Sequence, residues 1–125
     1  MLKGLDSLLI SSPNAKKLAD FYKSLGFKIN KMGDIGESGE QLFEIKMSSG
    51  SAIYIADHSK IKGKNTQPDR LIFNIEVDDI EKEVKRIKKK LKPKKDIYHM
   101  EGYGLISTFK DIDGNFFQLV QVRPS

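Results

Sequence analysis

The chain has 125 residues, no cysteine, and 22 Lys and Arg against 17 Asp and Glu, a formal net charge of +5. That length is one domain's worth and buries an ordinary core without covalent staples. The missing cysteine excludes a disulfide framework, a thiolate nucleophile and any Cys-based zinc or iron–sulfur site.

Leu8-Leu9-Ile10, the N-terminal apolar run, is far shorter than a signal-peptide core or a membrane span, so a cytoplasmic protein without membrane contact is expected. Gly4 to Ser11 reads as a strand with Leu8 and Ile10 on one face and Leu5, Ser7 and Leu9 on the other. Ser12-Pro13 then starts a helix as N-cap and first helical residue. Ala15, Leu18, Phe21, Tyr22 and Leu25 recur at helical spacing, and Gly26 follows where a left-handed cap belongs. Phe27 to Met32 reads as a strand, Gly33 to Gly39 as a loop, Gln41 to Met47 as a strand, Ser48-Ser49-Gly50 as a turn and Ala52 to Ala56 as a strand. Tyr54 lies between two alanines on the face opposite Ile53 and Ile55. It is either a core filler or a stacking face with one hydroxyl in a cavity.

Asp57 to Asp69 lacks periodicity and reads as a polar linker between modules spanning approximately 1–57 and 69–123. Leu71 to Val77 is a strand, and Asp78 with Glu81 forms a capping box ahead of Ile80, Val84, Ile87 and Leu91, a helix that Pro93 stops. Much of the lysine lies between Lys82 and Lys95, where it reads as the solvated face and positive end of that helix. Without aromatic interleaving, a nucleic-acid partner is not expected. A short extended piece at Ile97-Tyr98 leads through Glu101-Gly102-Tyr103-Gly104 into a strand from Leu105 to Phe109.

The most informative stretch is Asp111 to Val122. Asp111-Ile112-Asp113-Gly114-Asn115 is a hairpin loop, with Asp111 and Asp113 as turn formers rather than a catalytic pair. In the strand that follows, Phe117 and Leu119 share one face, while Gln118 is a lone amide among Phe116, Val120 and Val122 on the other. A buried amide without a hydrogen bond costs on the order of a few kcal/mol. Gln118 therefore bonds a neighbouring side chain or lines a cavity, and a cavity is expected. A five-residue loop pairs Lys110 with Phe116, which sets Thr108 opposite Gln118.

Both halves read β-α-β-β-β. Ala15 maps to Ile80 at a separation of 65 residues and Gly50 to Gly114 at 64. Tyr54 then maps to Gln118 and Ser7 to Ile72. Two such units predict an α+β fold of two βαβββ modules forming cupped mixed sheets, with Tyr54, Thr108 and Gln118 facing one shared concavity.

Leu18-Ala19-Asp20-Phe21-Tyr22-Lys23-Ser24-Leu25-Gly26-Phe27, Val77-Asp78-Asp79-Ile80 and Asp111 to Val120, in this order inside a repeat, resemble the glyoxalase/bleomycin-resistance/dioxygenase family, also called the vicinal oxygen chelate superfamily. The resemblance covers nearly the whole chain. It implies paired βαβββ modules, a homodimer and a ligand cavity on the concave sheet. Metal-dependent members place His, Gln or Glu on the first and last strand of each module, and the equivalent positions here are Ser7, Tyr54, Ile72 and Gln118. One neutral amide cannot hold a divalent transition ion, so no metal and no other cofactor is expected. His58 in the linker and His99 near a loop lie away from those positions. The expected function is binding of a small neutral or anionic ligand, with catalysis left open; a metal-dependent lyase or dioxygenase with unrecognised ligands is the alternative. The candidate ligand-binding residues are Ser7, Tyr54, Arg70, Ile72, Asn74, Tyr103, Thr108 and Gln118. Arg70 and Asn74 enter because alternation places them on the face of Ile72, and Tyr103 because it stands in the loop before the last hairpin.

Overall fold

The computed structural model describes residues 1–35 and 39–122. Its contacts separate two compact units that meet between Gly63 and Lys64, inside the segment read as a linker.

In the first unit, β1 (Ser7–Ser11), α1 (Ala15–Ser24), β2 (Ile29–Ile35), β3 (Glu40–Lys46) and β4 (Ala52–Ala56) follow in order. The sheet runs β1-β4-β3-β2, with β1 parallel to β4 and the other pairs antiparallel. The second unit repeats this with a short 3-10 turn at Pro68–Arg70, then β5 (Phe73–Glu76), α2 (Ile80–Ile87), β6 (Lys95–Met100), β7 (Gly104–Lys110) and β8 (Phe116–Val122). Its sheet runs β5-β8-β7-β6, with β5 parallel to β8. The architecture is the expected α+β arrangement of two βαβββ modules.

Several boundaries differ from the sequence reading, each for a local reason. Asn14, not Ser12, caps α1: its side chain accepts from Lys17 N–H at 3.1 Å, while Ser12 Oγ accepts from Asn14 N–H at 3.1 Å and turns the chain before the helix. Asp79, one residue later than expected, caps α2 by accepting from Lys82 N–H at 3.1 Å, and the helix ends at Ile87, so Leu91 follows it. On α1 the buried stripe is Ala15, Leu18, Ala19 and Tyr22, with Phe21 only half-buried. Gly26, at φ 99°, closes α1: its N–H bonds Lys23 C=O and Phe27 N–H bonds Tyr22 C=O, a Schellman ending.

β1 starts at Ser7 and β5 at Phe73, both later than read. β6 is a full strand rather than a short piece, and a register irregularity between Lys95 and Tyr98 is what hides its alternation. β2 likewise continues past an irregularity at Lys31 and Gly33 to Ile35, so the expected loop begins later, and residues 36–38 of it lie outside the described residues. Among the described residues no helix is long and apolar enough to cross a membrane.

A side chain at the end of each module's last strand fixes the helix to the sheet. Asp57, read as the first linker residue, accepts from Ala15 N–H at 3.4 Å and from Gln41 N–H at 2.9 Å. One module later, Gln121 Oε1 accepts from Ile80 N–H at 2.8 Å. These bonds satisfy donors at the helix start that have no intrahelical partner. They also settle the faces. Ile53 and Ile55 share the helix-covered side with Asp57, and Phe117 and Leu119 share it with Gln121. Asp57→Ala should lower stability by about 1–2 kcal/mol, because two backbone donors lose a charged acceptor. Urea denaturation measures this, and a change under about 0.3 kcal/mol would show that the carboxylate is not a fixing point.

Candidate functional site

The residues with chemistry on the helix-free face of the second sheet form one row across three strands. Asn74 on β5 stands beside Gln118 on β8, which stands opposite Thr108 on β7. Thr108 Oγ1 donates to Gln118 Oε1 at 2.7 Å, and Gln118 Nε2 donates to Asn74 Oδ1 at 2.8 Å. The partners the amide requires are thus supplied on both sides by the protein. Thr108 is buried, Gln118 half-buried and Asn74 exposed, so the row runs from interior to solvent. The flanking rows on the same face mix apolar and charged side chains: Phe116 with exposed Lys110 on one side, Ile106 and Val120 with exposed Glu76 on the other. A few fixed polar groups among apolar side chains is the composition of a small-molecule site.

The first sheet carries the equivalent row, Leu9 on β1, Tyr54 on β4 and Glu44 on β3. Tyr54 donates its hydroxyl to Glu44 Oε2 at 3.2 Å. Partial burial, then the bond to Glu44 and the charges of Glu44 and Asp6, raise the phenol pKa above the ordinary 10.0. Glu44→Gln should bring the Tyr54 ionisation to lower pH, followed through the ring carbon bearing the hydroxyl by NMR. An unchanged titration would mean that the carboxylate does not act on the phenol.

Of the sequence candidates, Asn74, Thr108 and Gln118 are brought together. Tyr54 sits in the first unit with Leu9 rather than Ser7 beside it, because Ser7 pairs with Ala52. Ile72 precedes β5, so the alternation that tied Arg70 and Asn74 to its face does not extend back to Arg70. Arg70 instead ends the 3-10 turn, donating from Nη2 to Gln67 Oε1 at 2.9 Å. Tyr103 lies in the turn before β7, its N–H bonded to Met100 C=O. His58 follows β4 in a turn, and His99 lies within β6 opposite Leu105; both are exposed. Sequence reading missed Glu44. The signal was available: Lys46 pairs with Ala52 across a five-residue loop, as Lys110 does with Phe116, and stepping back by two sets Glu44 opposite Tyr54.

Residues 4–119 match the Glyoxalase/Bleomycin resistance protein/Dioxygenase superfamily. The chain belongs to this superfamily. Similar solved structures include a glyoxylase/bleomycin resistance protein/dioxygenase domain from Frankia sp. EAN1pec, with TM-score 0.73, 13% identity, and coverage of 98% of this chain and 100% of that one. The antibiotic binding protein TnmS3 from a Streptomyces species gives TM-score 0.70 at 17% identity, covering 98% of each chain. The fosfomycin resistance protein FosX from Listeria monocytogenes gives TM-score 0.68 at 21% identity, covering 98% of this chain and 94% of that one. No curated protein matches in sequence. At these identities the likeness is one of fold.

The residues of this superfamily member do not suit a divalent transition ion. Among the described residues, no group of three or more His, Cys, Asp or Glu is placed to hold a metal. The second sheet's row offers neutral amides and a hydroxyl whose oxygens already accept or donate to each other, and the first offers Glu44 beside a phenol held protonated. Transition ions want three or four basic N, O or S donors converging on one point.

Proposed function

We propose that this chain binds a small neutral or anionic organic molecule, without a metal or other cofactor, and that it sequesters the molecule rather than transforming it. The hydrogen-bonded row Thr108–Gln118–Asn74, beside the apolar side chains of Phe116, Ile106 and Val120 on a helix-free sheet face, carries this reading. Apolar flanks supply affinity by burial and the amides supply orientation. The net charge of +5 favours anions over cations at long range. An antibiotic binding protein of the same fold is compatible with binding as the mode of action. The family resemblance supports a homodimer, and the lack of cysteine is compatible with a reducing cytoplasm. Ile72 and Tyr103 are proposed as further lining residues of this second-unit site, with Arg70 at the margin; Ser7 and Tyr54 are proposed as ligand-binding residues of the first unit's own sheet.

A thermal-shift screen of small acids, amides and ketones tests the proposal, because a ligand of the native state stabilises by mass action, about 2.7 kcal/mol at a hundredfold excess over Kd. Hits should shift the side-chain amide NMR signals of Gln118, and Gln118→Leu should abolish the thermal shift. Purified protein should carry sub-stoichiometric Zn, Ni, Mn and Fe, and chelators should leave Tm unchanged. One equivalent of metal, lost together with stability on chelation, would overturn the proposal in favour of a metal-dependent lyase or dioxygenase.

A further inference from the structure

We infer that the ligand group read by β5 and β8 is a hydrogen-bond acceptor, a carbonyl or carboxylate oxygen. It would be taken up by the Asn74 amide at the outer end of a hydrogen-bond chain whose direction the buried Thr108 hydroxyl sets. This rests on the small-molecule reading above and specifies the chemistry of that site.

The direction follows from proton bookkeeping along the row. Thr108 is 7% exposed, and its hydroxyl has one proton to place. Gln118 Oε1 takes it at 2.7 Å, a separation typical of O–H···O and shorter than the usual N–H···O. With its oxygen turned to Thr108, Gln118 must present Nε2 to β5, where Asn74 Oδ1 accepts at 2.8 Å. Asn74 is then left with its oxygen turned inward, and its two N–H donors form the solvent-facing end of the chain. Reversing the row would turn Gln118 Nε2 toward Thr108 and oblige the hydroxyl proton to find another acceptor in a buried position, which carries a desolvation penalty. A buried hydroxyl therefore selects what an exposed amide offers two strands away. Two exposed charges of opposite sign share this face, Lys110 two residues from Thr108 on β7 and Glu76 two residues from Asn74 on β5, so the selectivity rests on the direction of the hydrogen-bond chain and not on net charge.

Two neutral five-membered rings separate the possibilities: cyclopentanone, which only accepts, and pyrrole, which donates through its N–H. Titrated into isotope-labelled protein, cyclopentanone should shift the Asn74 side-chain amide signals with a Kd at least about tenfold lower than that of pyrrole. Thr108→Val keeps the shape and removes the proton that orients the chain, so the preference should fall to within about twofold while the β7 and β8 amide signals stay native. Asn74→Asp, at an exposed position, replaces the donor end with an acceptor and should reverse the preference toward pyrrole.

Equal affinities for the two probes in the native sequence, or a preference that survives Thr108→Val, would overturn the inference. So would the absence of any shift at Asn74 with either probe. If screening hits then moved Gln118 but not Asn74, binding at the site would stand while its acceptor selectivity fell. If no small molecule moved either residue, both would fall.

Discussion

Phe117→Ala should cost about 4 kcal/mol of stability, the largest single effect expected for this chain, because a fully buried ring leaves a cavity as well as losing its transfer free energy. Phe117 is 0% exposed and occupies the middle of the second sheet's packed face. Its ring stacks on Phe109 at 5.5 Å between centroids and 18° between planes, and on Phe73 at 6.2 Å and 20°. β8 is also the strand that joins β5 to β7. Loss of the ring therefore loosens three strands together, and Tm should fall by on the order of 10 °C. Hydrogen exchange should accelerate in β7 and β8 and leave β3 and β4 protected, since these lie in separate compact units. A loss below about 1 kcal/mol would mean that the aromatic stack does not hold the sheet.

Asp111→Ala is next, at about 3 kcal/mol, from backbone and side-chain donors left without an acceptor. The carboxylate is 5% exposed and organises the whole β7–β8 loop. Oδ1 accepts from Asp113 N–H at 2.9 Å and Asn115 N–H at 3.0 Å, while Oδ2 accepts from Asn115 Nδ2 at 3.1 Å. The loop is held from outside as well. Asn65 donates its N–H to Asp113 C=O at 2.7 Å and its Nδ2 to Asn115 Oδ1 at 3.1 Å. Gly114 is confined there twice over: φ is +85°, and a Cβ would lie 2.9 Å from the Asn65 carbonyl oxygen. Asp111→Asn should lose only about 1 kcal/mol, since an amide oxygen still serves the two backbone donors. Guanidinium denaturation of the two variants checks the order. Equal losses would show that the carboxylate's second oxygen, not the loop's backbone donors, carries the stabilisation.

The Asn65 contacts change the reading of the linker. Composition from Asp57 to Asp69 gives no periodicity, yet Asp57 ties α1 to β3 and Asn65 straps the second module's hairpin. Such contacts join single groups far apart in sequence, 42 residues for the Asp57 side chain and Ala15 N–H and 50 for the side chains of Asn65 and Asn115. Periodicity arises only where neighbouring residues share a face, so contacts of this kind leave no trace in it.

Where turn chemistry and alternation act locally, the amino-acid order alone was sufficient. Gly114 and Asp111 fix a five-residue loop, the loop fixes Lys110 opposite Phe116, and strand alternation then places Thr108 against Gln118. The two βαβββ modules were legible in the same way, from caps, helical spacing and a constant repeat offset. What tertiary structure decided was the parallel pairing. β5 lies beside β8 in a register set by the packing of α2 on the sheet, so Asn74 rather than Ile72 meets Gln118, and Leu9 rather than Ser7 meets Tyr54. Antiparallel neighbours joined by a short turn inherit their register from it, whereas parallel neighbours are joined through a helix and obtain theirs only when the helix docks.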